Sequence, residues 1–337
     1  MVQPRHLIVI GASAGGIEAL RELVRGLPSD FPAAIAVVMH TSPQSPGILR
    51  DILNTSGPLP AISPPKPPEA ERLQAGRLYV APPDFHLLIE PGMVRTAKGP
   101  KENRFRPAID PLFRSAAQVY GPNAIGVILT GNLDDGTAGL WAIKQLGGTA
   151  IVQDPSDALF PSMPQSALDY VNVDYIAPLS DIPPLLVRLT SEAARDAPYH
   201  VPDTMAVEVK IAKQGDPLDA GVGRIGEPSA FSCPECHGVL LQLKEADRIR
   251  FRCHTGHAYS AESLLADIRE QIEVQLWNAI RAMQEGDVLM RALAKHVDEV
   301  HAPADAQTLR ERAEELHRQA DTLRQMVTSG VVPVHAD

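Results

Sequence analysis

An α/β fold, with a doubly wound and mostly parallel sheet covered by helices on both faces, is predicted by three features of this sequence. Short apolar runs alternate with amphipathic helical patterns from Leu7 to about Leu189. Two of those runs end in glycine-rich turns that open directly into a helix, Gly11-Ala-Ser-Ala-Gly-Gly16 and Gly131-Asn-Leu-Asp-Asp-Gly136. The runs themselves are almost free of polar residues, as strands buried on both faces are.

In chain order, strands are expected over residues 7–10, 34–39, 77–80, 86–89, 124–129 and 149–153. Helices are expected over 17–25, 47–54, 111–119, 136–146 and 164–171, the first from Ile17, Leu20 and Leu23 at helical spacing. Glu90-Pro-Gly92 separates two strand-like runs between Leu78 and Thr96 and predicts an inserted hairpin. Beyond Ser191 periodicity fades and Pro, Gly and charge dominate, so the chain divides into an α/β region (1–190), a linker (191–230), a small cysteine-bearing module (231–260) and a helical arm (261–330).

Composition fits an enzyme with a sizeable core: 337 residues, 44% of them hydrophobic. A net charge of −10 argues against a nucleic-acid partner and against attraction to an anionic membrane. No apolar run approaches a membrane span, so no membrane insertion is expected; Arg5 and the apolar residues after it are too short for a leader and read as a first strand. Three cysteines, all in the C-terminal third, make no disulfide framework, and a cytoplasmic location is expected.

Ser13 lies at the apex of a Gly-x-Ser-x-Gly turn between strand and helix, which lifts a serine hydroxyl clear of the backbone. Helical amides point back toward the same spot, and that of Ala14 is placed to meet an oxyanion. The rival reading, a dinucleotide-binding turn in an oxidoreductase, lacks its middle glycine and its acidic partner, because the second strand ends in His40. Adjacent parallel strands bring their C-terminal ends together, so Ser13 and His40 can share a crevice. Asp134 and Asp135 sit at the turn after the 124–129 strand; either can cap the following helix, and either can orient His40.

Val38-Met-His40, Ala81-Pro-Pro-Asp84, Gln153-Asp-Pro155 and Phe160-Pro-Ser-Met-Pro164 join the two glycine-rich turns in a specific set. Together they resemble the catalytic domain of chemotaxis-type protein-glutamate methylesterases, over roughly Leu7 to Leu189. The resemblance implies hydrolysis of glutamate methyl esters on chemoreceptors, releasing methanol, and for some members deamidation of receptor glutamines. It implies Ser13 as nucleophile, His40 as base and Asp135 as the orienting carboxylate, with no cofactor in catalysis and a methylated chemoreceptor as protein partner. Asn132 and Leu133 stand where the family turn usually carries Met and Gly, and the usual receiver domain before the esterase is expected to be absent, because the esterase's first strand starts near residue 7. An idle scaffold that keeps the fold for docking, and an esterase for small-molecule esters, are the alternatives.

A second motif follows: Cys233-Pro-Glu-Cys236, then Cys253-His-Thr-Gly-His257, a set that suits a closed tetrahedral structural Zn²⁺. Val239 to Leu243 and Ile249 to Phe251 read as paired strands of a zinc ribbon; His237 and His254 are spare candidates. In the arm, Leu309, Ala313, Leu316, Ala320, Leu323 and Val327 keep a 4-3 alternation. It predicts two helices packed as a hairpin, with self-association or docking on a chemosensory partner as their role, apart from the catalytic machinery.

Overall fold

The computed structural model describes residues 6–193, 197–243, 248–299 and 303–329. Arg5, residues 194–196 of the expected linker, and 300–302 and 330 of the expected arm lie outside them. Strand β1 (Leu7–Ala12) turns at Ser13 into α1 (Gly16–Arg25), and β2 (Ala34–Met39) leads to α2 (Leu49–Ser56). Next come β3 (Ala61–Ile62), β4 (Glu71–Arg72), β5 (Leu78–Val80), and a hairpin of β6 (His86–Glu90) and β7 (Met93–Ala97). The second half alternates: α3 (Ile109–Tyr120), β8 (Ala124–Ile128), α4 (Thr137–Gln145), β9 (Thr149–Gln153), α5 (Ser162–Tyr170), β10 (Tyr175–Ala177) and α6 (Ile182–Ser191).

The main sheet runs β10-β9-β8-β1-β2-β5-β3, and every pairing in it is parallel. β1 is central, with β8 on one side and β2 on the other, so the strand order reverses around it and a crevice opens beyond its C-terminal end. Residues along β1 alternate between two cores. Ile8 and Ile10 pack with Leu20 and Leu23 of α1, Leu53 of α2 and Leu186 of α6. Leu7 and Val9 pack with Leu112 and Phe113 of α3, Ile143 of α4 and Ala167 of α5. Burying each such side chain fully contributes about 1.5–3 kcal/mol, and doing so on both faces of the sheet is what makes the fold doubly wound.

Two expectations need correction. The expected hairpin forms about Pro91 and Gly92 but starts at His86: Leu78–Val80 belongs to the main sheet, whereas β6 and β7 join β4 in a separate antiparallel sheet, and Pro82 and Pro83 end the run between them. The stretch expected as a linker (191–230) contains α7 (Asp203–Gln214), α8 (Pro217–Ala220) and the start of β11 (Gly226–Ser232). α7 packs on α3, and its inner face carries a charge: Glu208, 3% exposed, pairs with Arg250 at 2.8 Å and Arg252 at 2.7 Å. Burial opposes the Glu208 charge, but Arg114, Arg250 and Arg252 hold its carboxyl well below the usual range. A helix that buries an ion network has no full apolar stripe to betray it.

β11 begins an antiparallel sheet with β12 (Val239–Leu243), β13 (Arg250–Cys253) and β14 (Ala258–Ser260). Two long helices follow, α9 (Ala261–Glu299) and α10 (Pro303–Thr328). The chain falls into two units, Met1–Ser263 and Leu264–Asp337. In the second, Ile280 and Met283 of α9 pack with Ala320, Leu323 and Val327 of α10, and His317 lies 3.2 Å from Asp287. Among the described residues no helix is long and apolar enough to cross a membrane.

Breaking a buried ion network by removing one partner leaves an uncompensated charge. Glu208→Ala should therefore cost about 3–5 kcal/mol of stability, read as a lowered denaturation midpoint. An unchanged midpoint would show that the network does not stabilise the fold.

Candidate active site

The loops after β1, β2 and β8 meet at the crevice. Backbone bonds tie them together: the Ser13 amide donates to the Thr130 carbonyl at 3.0 Å, and the His40 amide to that of Ala12 at 3.1 Å. Glycine is needed twice. Gly15 has φ 73°, a left-handed turn that aims the chain into α1, and a Cβ on Gly131 would lie 2.8 Å from the Ser13 Cβ.

His40 bridges the other two side chains. Its Nε2 lies 2.7 Å from Asp135 Oδ2 and its Nδ1 3.1 Å from Ser13 Oγ. With Nε2–H donating to the carboxylate, Nδ1 is left to accept the serine proton. Phe105 stacks on the imidazole, ring centroids 3.7 Å apart and planes within 6°, which fixes the plane in which that nitrogen points. Ser13, Ala14, His40, Lys101, Arg104 and Phe105 border a cleft of about 420 Å³.

Asp135 is 1% exposed, yet each of its oxygens is supplied with donors. Oδ2 also accepts from the Ile109 amide at 2.6 Å, and Oδ1 accepts from Asn103 Nδ2 at 2.9 Å and the Asp110 amide at 3.3 Å. It thus sits on the N-terminus of α3, where the helix dipole favours a negative charge. Burial alone would raise its pKa; the His40 hydrogen bond and charge, the Ile109 amide and Asn103 together bring it below the ordinary value. The neighbouring carboxyls behave differently. Asp134 points to Ser260, which donates to it at 2.7 Å, and burial pushes it up to about 7. Asp110 accepts the Gly136 and Gly139 amides, and burial together with the charge of Asp135 pushes it up to about 6. Of the two aspartates left open by the turn, it is Asp135 that faces His40.

Asn132 is exposed, and Leu133 takes φ 62°, a left-handed conformation that favours the glycine it replaces. Asn103, Phe105 and the α3 N-terminus were not singled out from sequence. They come from a Pro- and Arg-rich loop without periodicity, where the Asn and Pro content around Asn103 and Pro107 could have marked a turn but no partner.

The sulfurs of Cys233, Cys236 and Cys253 and one nitrogen of His257 lie within 4.8 Å of one another. Cys236 and Cys253 sulfurs are 3.7 Å apart, and His257 Nδ1 is 3.6 Å from both Cys233 and Cys253. A tetrahedral Zn²⁺ with bonds of about 2.3 Å to sulfur and 2.0–2.1 Å to nitrogen has edges of about 3.6–3.8 Å, so this donor set fits the ion. His237 and His254 are exposed and stand outside the cluster.

Residues 8–186 match the family described as CheB methylesterase. A putative protein-glutamate methylesterase/protein-glutamine glutaminase of Leptospira interrogans is 43% identical over 187 residues, 54% of this chain and 93% of the relative. Protein-glutamate methylesterase/protein-glutamine glutaminase 1 of Burkholderia pseudomallei is 39% identical over 200 residues, and there the chain spans only 54% of the relative's length. The crystal structure of the Thermotoga maritima CheB methylesterase catalytic domain superposes with a TM-score of 0.52 at 36% identity, covering 55% of this chain and 98% of that one.

Asp134 offers a test by pH. Its folded-state pKa of about 7 lies above the ordinary carboxyl value, so between the two the folded chain holds a proton the unfolded chain releases. Stability from this group falls as pH rises through that window. Asp134→Asn should raise the melting temperature more at pH 8 than at pH 4.5, and an equal difference at both would contradict the assignment.

Proposed function

The chain belongs to the CheB methylesterase family over residues 8–186, and from that premise we propose that it is a serine carboxylesterase acting on protein glutamate methyl esters. The observation that carries the reading is His40 seated between the Ser13 hydroxyl and the buried Asp135 carboxylate. Ser13 Oγ attacks the ester carbonyl as its proton passes to His40 Nδ1. Asp135 holds the resulting imidazolium, and the Ala14 amide is the candidate donor to the oxyanion. Collapse expels methoxide, which takes the proton from His40 and leaves as methanol. Water then attacks the acyl-enzyme with His40 again as base, so ester and water give carboxylate, methanol and a released proton. A glutamine side chain would follow the same path with ammonia as the leaving group.

The names of the relatives support a protein glutamate methyl ester as the substrate; a methylated chemoreceptor as its carrier, and a cytoplasmic site of action, go with the resemblance of the motifs. Cys233, Cys236, Cys253 and His257 are proposed to hold one structural Zn²⁺, with β11–β14 as its ribbon; the ion would supply cross-linking of two turns. The seam of α10 is largely filled by α9, while Val288, Leu289 and Leu293 stay exposed, which supports docking or self-association as the role of the helical arm.

Ser13→Ala and His40→Ala should each lower methanol release from a methylated receptor by roughly three orders of magnitude, with no further loss when combined. Full activity in His40→Ala would overturn the triad. Turnover of free methyl esters without preference for receptor would favour the small-molecule reading, and none on any ester the scaffold. Protein purified without added metal should carry about one equivalent of zinc, lost in Cys233→Ser/Cys236→Ser; an unchanged content in that variant would place the metal elsewhere.

A further inference from the structure

We infer that Asn103, held from behind by Ser260 and Ser263 of the C-terminal sheet and its following helix, is a positioning residue that keeps Asp135 aimed at His40. The inference rests on the reading of Ser13, His40 and Asp135 as the esterase's reacting groups. It assigns part of the active site's support to a segment outside the region matched to the family, which ends at residue 186.

Asn103 is 4% exposed and every atom of its side-chain amide is engaged. Nδ2 donates to Asp135 Oδ1 at 2.9 Å and to Asp110 Oδ2 at 3.0 Å. Oδ1 accepts from the Ser260 amide at 2.9 Å and the Ser263 hydroxyl at 3.1 Å. Reversing the amide would set its carbonyl against two carboxyls and its NH₂ against two donors. The serines therefore dictate which end of Asn103 meets Asp135.

The backbone of the same segment is laid along β14. The Ala258 amide donates to the Lys101 carbonyl at 3.2 Å, and the Asn103 amide to the Ala258 carbonyl at 2.8 Å. Lys101 also pairs with Glu235, between Cys233 and Cys236, at 2.6 Å, and Glu102 pairs with Arg252 of β13 at 2.9 Å. Asn103 itself takes φ 48°, a left-handed conformation that Asn tolerates, and the packing around it holds it there. Two residues further on, Phe105 stacks on His40. On this inference β14 and the first turn of α9 take part in positioning, which departs from the expectation that the C-terminal arm stands apart from the catalytic machinery.

The consequence for chemistry is directional. A carboxylate that loses one of its donors is a poorer anion and a looser guide for the imidazole. Because the Asn103 side chain bonds to Asp110, Asp135, Ser260 and Ser263 and does not border the cleft, its loss should act on turnover and leave substrate binding alone.

The test uses the full chain with a methylated receptor fragment, comparing Asn103→Ala, Ser260→Ala/Ser263→Ala and His40→Ala with the wild type. Asn103→Ala should lower kcat about ten- to a hundredfold, the loss expected for one hydrogen bond to a charged group, with KM within about twofold. The acid limb of its kcat/KM profile should move to higher pH, because with one donor fewer the Asp135 carboxylate attracts a proton more strongly, its own or the one carried by His40. The double serine variant should show the same pattern in milder form. If a variant melts below the assay temperature, Ser263→Ala alone removes a single oxygen and carries the same comparison. Wild-type kcat and acid limb in folded Asn103→Ala, or a loss of kcat with the limb unmoved, would overturn the positioning role. If His40→Ala is active too, it is the triad reading that has failed; if His40→Ala is inert, the positioning role alone has failed.

Discussion

A buried carboxylate has to be surrounded by donors, and in this chain that requirement organises everything around the crevice. Asp135 collects the Ile109 and Asp110 amides at the head of α3, the Asn103 amide group and His40. Left unpaired, such a charge would instead take up a proton. Asp110 and Asp134, equally buried but differently surrounded, are pushed toward that state. Three aspartates within one cluster thus differ in how readily they take up a proton because of their neighbours, and of these Asp135, beside the imidazole, is held below the ordinary carboxyl value.

The reach of that cluster explains why the C-terminal sheet packs where it does. Glu102, the residue before Asn103, is buried among Arg114 of α3 and Arg252 of β13, and Arg252 in turn meets Glu208 of α7. Buried ion pairs of this kind are weak sources of net stability, since desolvation offsets much of their attraction. A shift of β13 or α7 would strand a charge, since Arg252 of β13 forms pairs with both Glu102 and Glu208. Together with the turns carrying Cys233, Cys236, Cys253 and His257, they fix the segment from Lys101 to Phe105 against the sheet.

Much of this was legible in the sequence, for physical reasons. Strands β1, β2 and β8 are apolar throughout because both faces are covered, and Ser13, His40 and the aspartates mark the points where those runs stop. The Cys and His spacings were legible because they follow a ligand pattern set by local turns, and the four donor atoms do lie together. What could not be read were contacts between distant segments. Asn103 meets Ser260 across 157 positions, Phe105 finds His40 only after folding, and Glu208 sits on a helix whose buried face is charged. No periodicity announces such residues. Leu133 takes a conformation that favours glycine, and its carbonyl accepts from the Ser162 hydroxyl.

The claim on which the rest depends is the direction in which His40 is held, and its tautomer reports that directly. In protein labelled with ¹⁵N-histidine, long-range ¹H–¹⁵N correlations of the neutral His40 ring distinguish a proton on Nε2 from one on Nδ1. The account predicts Nε2–H in the wild type, facing Asp135, with Nδ1 bare toward Ser13, and a mixture of tautomers in Asp135→Ala. A wild-type ring protonated on Nδ1, or one indifferent to the loss of Asp135, would contradict it.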